Sequence, residues 1–425
     1  MAGPSPSRKR TASDAKEPTL RVKRLRDTGE TEDIIHNKPK HDLNNYSVMV
    51  QRKARRLVRE ILASVYYDIN TVCVMRTNAK LNPNFENIAY YRIQFRESTA
   101  LLDRVVSYNF EPTPHADPRG TLRRLDGFVK LFGWKMLSIC MLSEGFRRAC
   151  REISHPALWK ELMKMFSDNK VSLEVFARSR NLDWRGQLLK YAGLGIPALE
   201  KELRPARSMW QQHPHHVVQS VENKVKRPVF ENNLQIHIDR CIMNPDEWAG
   251  ETKDPTLRTM YDGRCDLCLS AEICDCKLDP SVGTLVELVE RPGTGTGVRA
   301  LTNFKKGDIL GQFVGELLPP NFSGDPIYAL AHVSKKDSGD CIATVSPRYY
   351  GNWTRYLAHS CNAATEFRAR TIGDRTIMTV EAARDISAFE DITVDYGEGY
   401  WLDKKCMCGE RSCVSKPRWT FGGNF

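Results

Sequence analysis

Cysteine spacing constrains this chain more than any other feature. Of its thirteen cysteines, seven fall into two tight groups, Cys265-x2-Cys268-x5-Cys274-x-Cys276 and Cys406-x-Cys408-x4-Cys413. Four thiols within twelve residues suffice to close one tetrahedral zinc site, a spacing that chance core cysteines seldom supply. The opening residues hold no apolar run of a secretion signal, and no stretch is long and apolar enough to span a bilayer. Clustered cysteines in such a chain predict zinc sites rather than disulfides. Cys73, Cys140 and Cys150 sit among apolar residues and are expected as buried core thiols.

At 425 residues the chain has room for two or three domains. Its formal charge of +11 suits acidic partners such as chromatin, although a solvated basic surface explains the same number. Residues 1–45 are rich in Ser, Pro and charge, and are expected as a disordered basic tail. Arg8-Lys9-Arg10 and Arg21 to Arg26 within it suit nuclear import or nucleic-acid contact. Residues 46–235 read as a helical domain. Val50, Ala54, Leu57, Val58, Ile61, Leu62 and Val65 recur at helical spacing, with Arg52, Lys53, Arg55, Arg56 and Arg59 opposite. Three prolines and a glycine between Glu111 and Gly120 break it. Further helical runs are predicted over Leu122–Cys150, Ala157–Phe166, Ser172–Arg180 and Trp184–Tyr191. His213, His215 and His216 lie in a stretch that reads as a solvated loop. Residues 236–282 form the first cysteine module.

A β-rich region follows. Leu285 to Val289 reads as a strand before Gly293-Thr294-Gly295-Thr296-Gly297, where glycine density permits sharp turns and close approach to a ligand. Ile309 to Glu316 reads as another strand after the turn at Lys305–Asp308. The central phrase is Arg355-Tyr356-Leu357-Ala358-His359-Ser360-Cys361-Asn362. Asp391-Ile392-Thr393-Val394-Asp395-Tyr396-Gly397 comes later, and the second cysteine group follows it. A strand ending in Tyr beside a metal cluster reads as an active site closed by a metal.

In their order these motifs resemble the SET-domain protein lysine methyltransferases, over about residues 283–418. The resemblance implies a multidomain α+β fold: an N-terminal helical domain, a pre-SET-like cysteine module, a β-rich SET domain at 283–400 and a post-SET segment at 401–425. It implies methyl transfer from S-adenosylmethionine to a protein lysine, with a histone tail as substrate and a lean towards the histone H3 lysine-nine type. Tyr396 is then the catalytic tyrosine and Tyr328, after Ile327, a second channel tyrosine. Gly295, Thr296, Gly297, Arg355, Ala358, His359 and Tyr396 would line the cofactor. Cys361, Cys406, Cys408 and Cys413 would hold one zinc, and Cys265, Cys268, Cys274 and Cys276 another. Trp401, Trp419 and Phe421 are candidates to pack nearby or to cover the site. The chain departs from the family at Thr296 (Trp), Phe313 (Tyr), Ala358 (Asn) and Ala363-Ala364 (Pro-Asn). The resemblance also implies a nuclear, chromatin-bound protein, with nucleosome or DNA contact through its basic surface. A non-histone lysine methyltransferase and a catalytically weak chromatin-binding scaffold are the alternatives.

Overall fold

The computed structural model describes residues 43–81, 88–113, 117–204, 215, 217–219, 224–230, 232–251, 253–293, 295–320, 322, 328–333, 340–401 and 404–415. Both N-terminal basic clusters, His213, His216, Ile327, Trp419 and Phe421 lie outside them. The chain divides into two units, Met1–Arg52 and Lys53–Phe425. Of the first, residues 43–52 are described and are helical; the second holds every feature discussed below.

Eight helices of at least six residues precede the strands among the described residues: α1 (Leu43–Leu81), α2 (Ile88–Phe110), α3 (Thr121–Phe132), α4 (Trp134–Met141), α5 (Glu144–Glu152), α6 (Pro156–Ser179), α7 (Trp184–Leu189) and α8 (Pro197–Leu203). Along α1 the predicted stripe is buried at Val58, Ile61, Leu62 and Val65 and continues through Tyr66 and Ile69, whereas Val50 and Leu57 are exposed. The run expected over Leu122–Cys150 is three helices. Gly133 stops α3 at φ 90°, its N–H bonding Val129 O, and Ser143 restarts the chain by capping Phe146 N at 3.1 Å. Two runs expected at Ala157–Phe166 and Ser172–Arg180 are instead one helix, α6, entered through Pro156 at its first turn.

The last described helix before the strands ends at Leu203, and strands are already present from Val217, inside the expected helical limit of 235. The strands are β1 (Val217–Gln219), β2 (Lys224–Lys226), β3 (Val229–Phe230), β4 (Asn233–Leu234), β5 (Ile236–His237), β6 (Ile242–Met243), β7 (Val286–Arg291), β8 (Gly295–Ala300) and β9 (Ile309–Gln312). There follow β10 (Glu316–Leu318), β11 (Leu330–Val333), β12 (Cys341–Ser346), β13 (Tyr350–Gly351), β14 (Ala358–His359), β15 (Thr365–Ile372), β16 (Arg375–Ala382) and β17 (Asp391–Val394). The main sheet runs β2-β1-β7-β8-β17-β15-β16-β9, and a second runs β11-β12-β10-β6. The strand expected over Ile309–Glu316 is therefore two, because the chain changes sheets at Gly315. A Cβ there would lie 2.3 Å from Ser346 O, so only glycine lets the backbones approach.

The helices and the sheet share one continuous apolar core. A buried polar network crosses their boundary. Glu287 on β7 receives Arg299 of β8 at Nε (2.7 Å) and through Nη2. It also accepts from Ser172 of α6 at 2.6 Å. Because that spends the single Ser172 proton, Tyr66 of α1 is the donor in its own 2.6 Å bond to Ser172. Asn70 accepts from Thr284 at 2.8 Å, and Arg180 donates to the Thr284 carbonyl. The sheet thus carries helix contacts on the same hairpin that bears the glycine loop.

Candidate active site

Two short parallel strands set the site. β14 runs beside β17 with Ala358 opposite Thr393 and His359 opposite Val394. This register delivers Tyr396 against the central phrase. The Tyr396 hydroxyl donates to Leu357 O at 2.6 Å, and its N–H donates to His359 Nδ1 at 3.2 Å. Burial, with Tyr400 and Tyr328 nearby, pushes the phenol up to about 12, so Tyr396 remains a neutral donor. Tyr400 packs edge-on at 4.9 Å and Trp401 lies over His359 at 4.5 Å. Trp401 Nε1 and Tyr356 OH are buried without a hydrogen-bond partner among the described residues.

The same histidine touches the second cysteine group. Burial lowers its pKa, so the ring is neutral. Its Nδ1 accepts from Tyr396, which leaves the proton on Nε2, 3.2 Å from Cys361 Sγ. Ligand atoms of His359, Cys361, Cys406 and Cys408 all lie within 4.8 Å of one another. Cys361 and Cys406 sulfurs are 3.8 Å apart, about the edge of a zinc–thiolate tetrahedron built on 2.3 Å bonds. Cys413 is buried beside them, its Sγ 3.7 Å from Cys406 O. Burial opposes ionisation of Cys408, but backbone donors at Cys361 and Glu410 prevail and bring it to about 7. Three thiols, one already inclined to ionise, converge with His359 in a set that fits a divalent metal, and Cys413, the fourth expected ligand, lies beside this set rather than within it.

The glycine loop closes the β7–β8 hairpin, with Arg291 opposite Gly295. Gly295 sits at φ 78°, and a Cβ at Gly295 or Gly297 would meet nothing within 4 Å. The backbone there leaves room for a ligand, and β8 packs against the 3-10 turn Trp353–Tyr356 that carries Arg355. Together with the unpartnered Trp401 and Tyr356 donors, this fits a polar cofactor held largely by main chain. Arg355 is buried and donates to Arg348 O at 3.1 Å. Its guanidinium lies 3.7 Å over the ring of Phe230 on β3. Phe230 in turn meets Tyr328 edge to face at 4.5 Å. Sequence reading missed Phe230, because nothing in a two-residue strand of the preceding region signals a site. Tyr400 was missed as well; only its nearness to Tyr396 in sequence hinted at it.

The first cysteine group stands apart from these residues. Cys265, Cys268, Cys274 and Cys276 hold their sulfurs within 4.8 Å, with Cys268 and Cys274 3.4 Å apart. Burial resists ionisation of Cys265, yet backbone donors at Gly373, Cys268 and Leu267 bring it to about 6. The module sits on the turn between β15 and β16: Asp266 accepts from Thr371 N and Thr371 Oγ1 donates to Asp262 O, both at 2.7 Å. Thr365, at the other end of β15, pairs with Val394 beside Tyr396. Along the strand that is roughly 23 Å away. Arg258 organises the module. Its two terminal nitrogens reach the carbonyls of Glu272, Gly373, Gly263, Ser270 and Ala271 at 2.7–3.2 Å. Arg258→Ala is expected to cost about 2–4 kcal/mol, since buried carbonyls lose their donors. Arg258→Lys should recover little of this, as an ammonium lacks the planar fork. Denaturant midpoints and metal content per chain check both.

Residues 295–397 match the family model for the SET domain. A SET domain-containing protein of Phaeosphaeria nodorum is 26% identical over 287 residues, covering 60% of this chain and 44% of its own length. The histone-lysine N-methyltransferase ASHR3 of Arabidopsis thaliana is 29% identical over 133 residues, covering 30% of this chain and 27% of its own. A solved structure described as the structural basis for the product specificity of histone lysine methyltransferases covers 48% of this chain and 98% of its own, at 18% identity and a TM-score of 0.34. The chain carries a SET domain and spans less than half the length of either relative. At 287 residues, the similarity to the Phaeosphaeria protein reaches well beyond that domain. No helix among the described residues is long and apolar enough to cross a membrane.

Proposed function

We propose that this protein transfers a methyl group from S-adenosylmethionine to the ε-amine of a protein lysine. A histone tail is the favoured substrate, and the cysteine modules on both sides of the SET domain favour the H3 lysine-nine type. The observation that carries the reading is the placement of Tyr396: neutral, bonded through its hydroxyl to Leu357 O and joined through His359 to the second cysteine group. The bound cofactor supplies an activated methyl on a sulfonium. The chain must do the rest. A lysine of ordinary pKa near 10.4 costs about 4–5 kcal/mol to hold neutral at pH 7. An aromatic wall of Tyr396, Tyr400 and Tyr328, covered by the bound substrate, would lower that pKa by desolvation. The same ring faces stabilise cationic methylated amines. Gly295, Thr296 and Gly297 would hold the cofactor by main chain, with Arg355, Ala358 and His359 along it. No carboxylate base is required, and alignment supplies much of the remaining acceleration.

Lys53, Arg55, Arg56 and Arg59 are exposed on α1. They suit nucleosomal DNA as a second contact within a nuclear, chromatin-bound role, with binding that weakens steeply as salt rises. The test is labelled-methyl transfer to core histones and to an array of histone and non-histone lysine peptides. Tyr396→Phe is expected to lower kcat about 100-fold, because the ring loses the bond that fixes its position. Cofactor binding without transfer to any histone would redirect the reading to another protein substrate. Loss of both would assign Ala358 to a dead site and the chain to chromatin binding alone.

A further inference from the structure

We infer that Phe230, contributed by a hairpin outside the SET domain, is a positioning residue of the active site that holds Arg355 and Tyr328 in register with each other. The inference rests on the methyl-transfer reading for its kinetic consequence, but not for its geometry. β3 and β4 pair Phe230 with Asn233, and the hairpin turns through Asn232 at φ 66°. That places one half-buried ring against both the Arg355 and the Tyr328 side chains. Its face receives the Arg355 guanidinium at 3.7 Å, within the range where ring quadrupole and cation attract. It also meets Tyr328 at 4.5 Å with the planes 84° apart, the favoured edge-to-face arrangement.

On the methyl-transfer reading Arg355, on the 3-10 turn that packs against β8, lies along the cofactor, and Tyr328 lines the channel of the incoming lysine. The Phe230 ring therefore touches both the group that would orient the donor and the group that would line the acceptor's channel. A planar cation needs a π-face to stack on, which an aliphatic side chain of similar bulk does not offer. The requirement at 230 is accordingly aromaticity, not volume.

The experiment compares Phe230→Leu with Phe230→Tyr in the full chain. Phe230→Leu is expected to lower kcat/KM for the lysine substrate on the order of tenfold, a loss matching a partly desolvated cation–π contact. Phe230→Tyr should retain it. The side-chain Nε–H resonance of Arg355, identified by its disappearance in Arg355→Lys, reads the stacking without any turnover. Ring current displaces it in the wild type, and Phe230→Leu should abolish that displacement while Phe230→Tyr preserves it. Equal kinetics in all three proteins with an unmoved resonance would overturn the inference. A wild type that moves no methyl would sink the methyl-transfer reading, and the resonance alone would then decide the role of Phe230.

Discussion

Stripping metal from the second cysteine group is expected to abolish methyl transfer while leaving the helices folded. Few other forces hold the segment after Tyr396. β17 ends at Val394, and beyond it the described residues form only the 3-10 turn Glu398–Trp401. Hydrogen bonds among the described residues there include Cys406 N to Ser415 Oγ at 2.7 Å, Cys413 N to Glu410 O at 3.2 Å and, back to the central phrase, Val414 N to Cys361 Sγ at 3.4 Å. One of those three already ends on a cluster sulfur. A structural zinc contributes about 10–16 kcal/mol of folding free energy in small peptides, far more than such bonds supply. Because Trp401 lies on His359, release of this segment also uncovers the face of the site that His359 and Tyr396 share. Chelation, and separately Cys408→Ser, should lower transfer by at least about 100-fold through lost positioning. Zinc return should restore the chelated protein and not the variant. Hydrogen exchange should rise over 398–415 and stay slow in α4 and α6. Full activity after complete metal removal would refute the zinc closure.

The central phrase, Tyr396 and the cysteine groups were legible in the sequence because each needs fixed residue types at fixed spacing. The chemistry left little freedom there. Helix boundaries were less legible: Gly133 and Ser143 cut one apolar run into three helices, while α6 runs on through the polar stretch Ser167–Lys170 because tertiary burial outweighs local polarity. Long-range pairings were not legible at all. Ser172 and Glu287 are 115 residues apart, and each alone looks like an ordinary polar residue. Phe230 likewise gains meaning only from Arg355 and Tyr328. His359 is an instructive middle case. Its motif pointed to the cofactor, whereas its geometry adds a hydrogen-bond bridge from Tyr396 to the cysteine group.

Glu287→Ala is expected to destabilise the protein by about 3–5 kcal/mol, the usual cost of leaving a buried charge without its partner. The variant strands the Arg299 guanidinium, whose side chain is 15% exposed, and removes the acceptor of the Ser172 hydroxyl. Ser172 then has no carboxylate to order it, and the Tyr66 bond loosens in turn. The loss therefore propagates from β7 into α6 and α1. Replacing both members of the ion pair with apolar residues should cost less than either single change, since no charge is then left buried. This double comparison separates electrostatic stranding from simple loss of packing. Unfolding should remain one cooperative transition, because helices and sheet share one core. Arg299 lies on β8 two positions past Gly297, so the same variant should also weaken cofactor binding before it unfolds the chain. Two separate transitions, with only the sheet affected, would show instead that the helical region folds independently of the SET domain it supports.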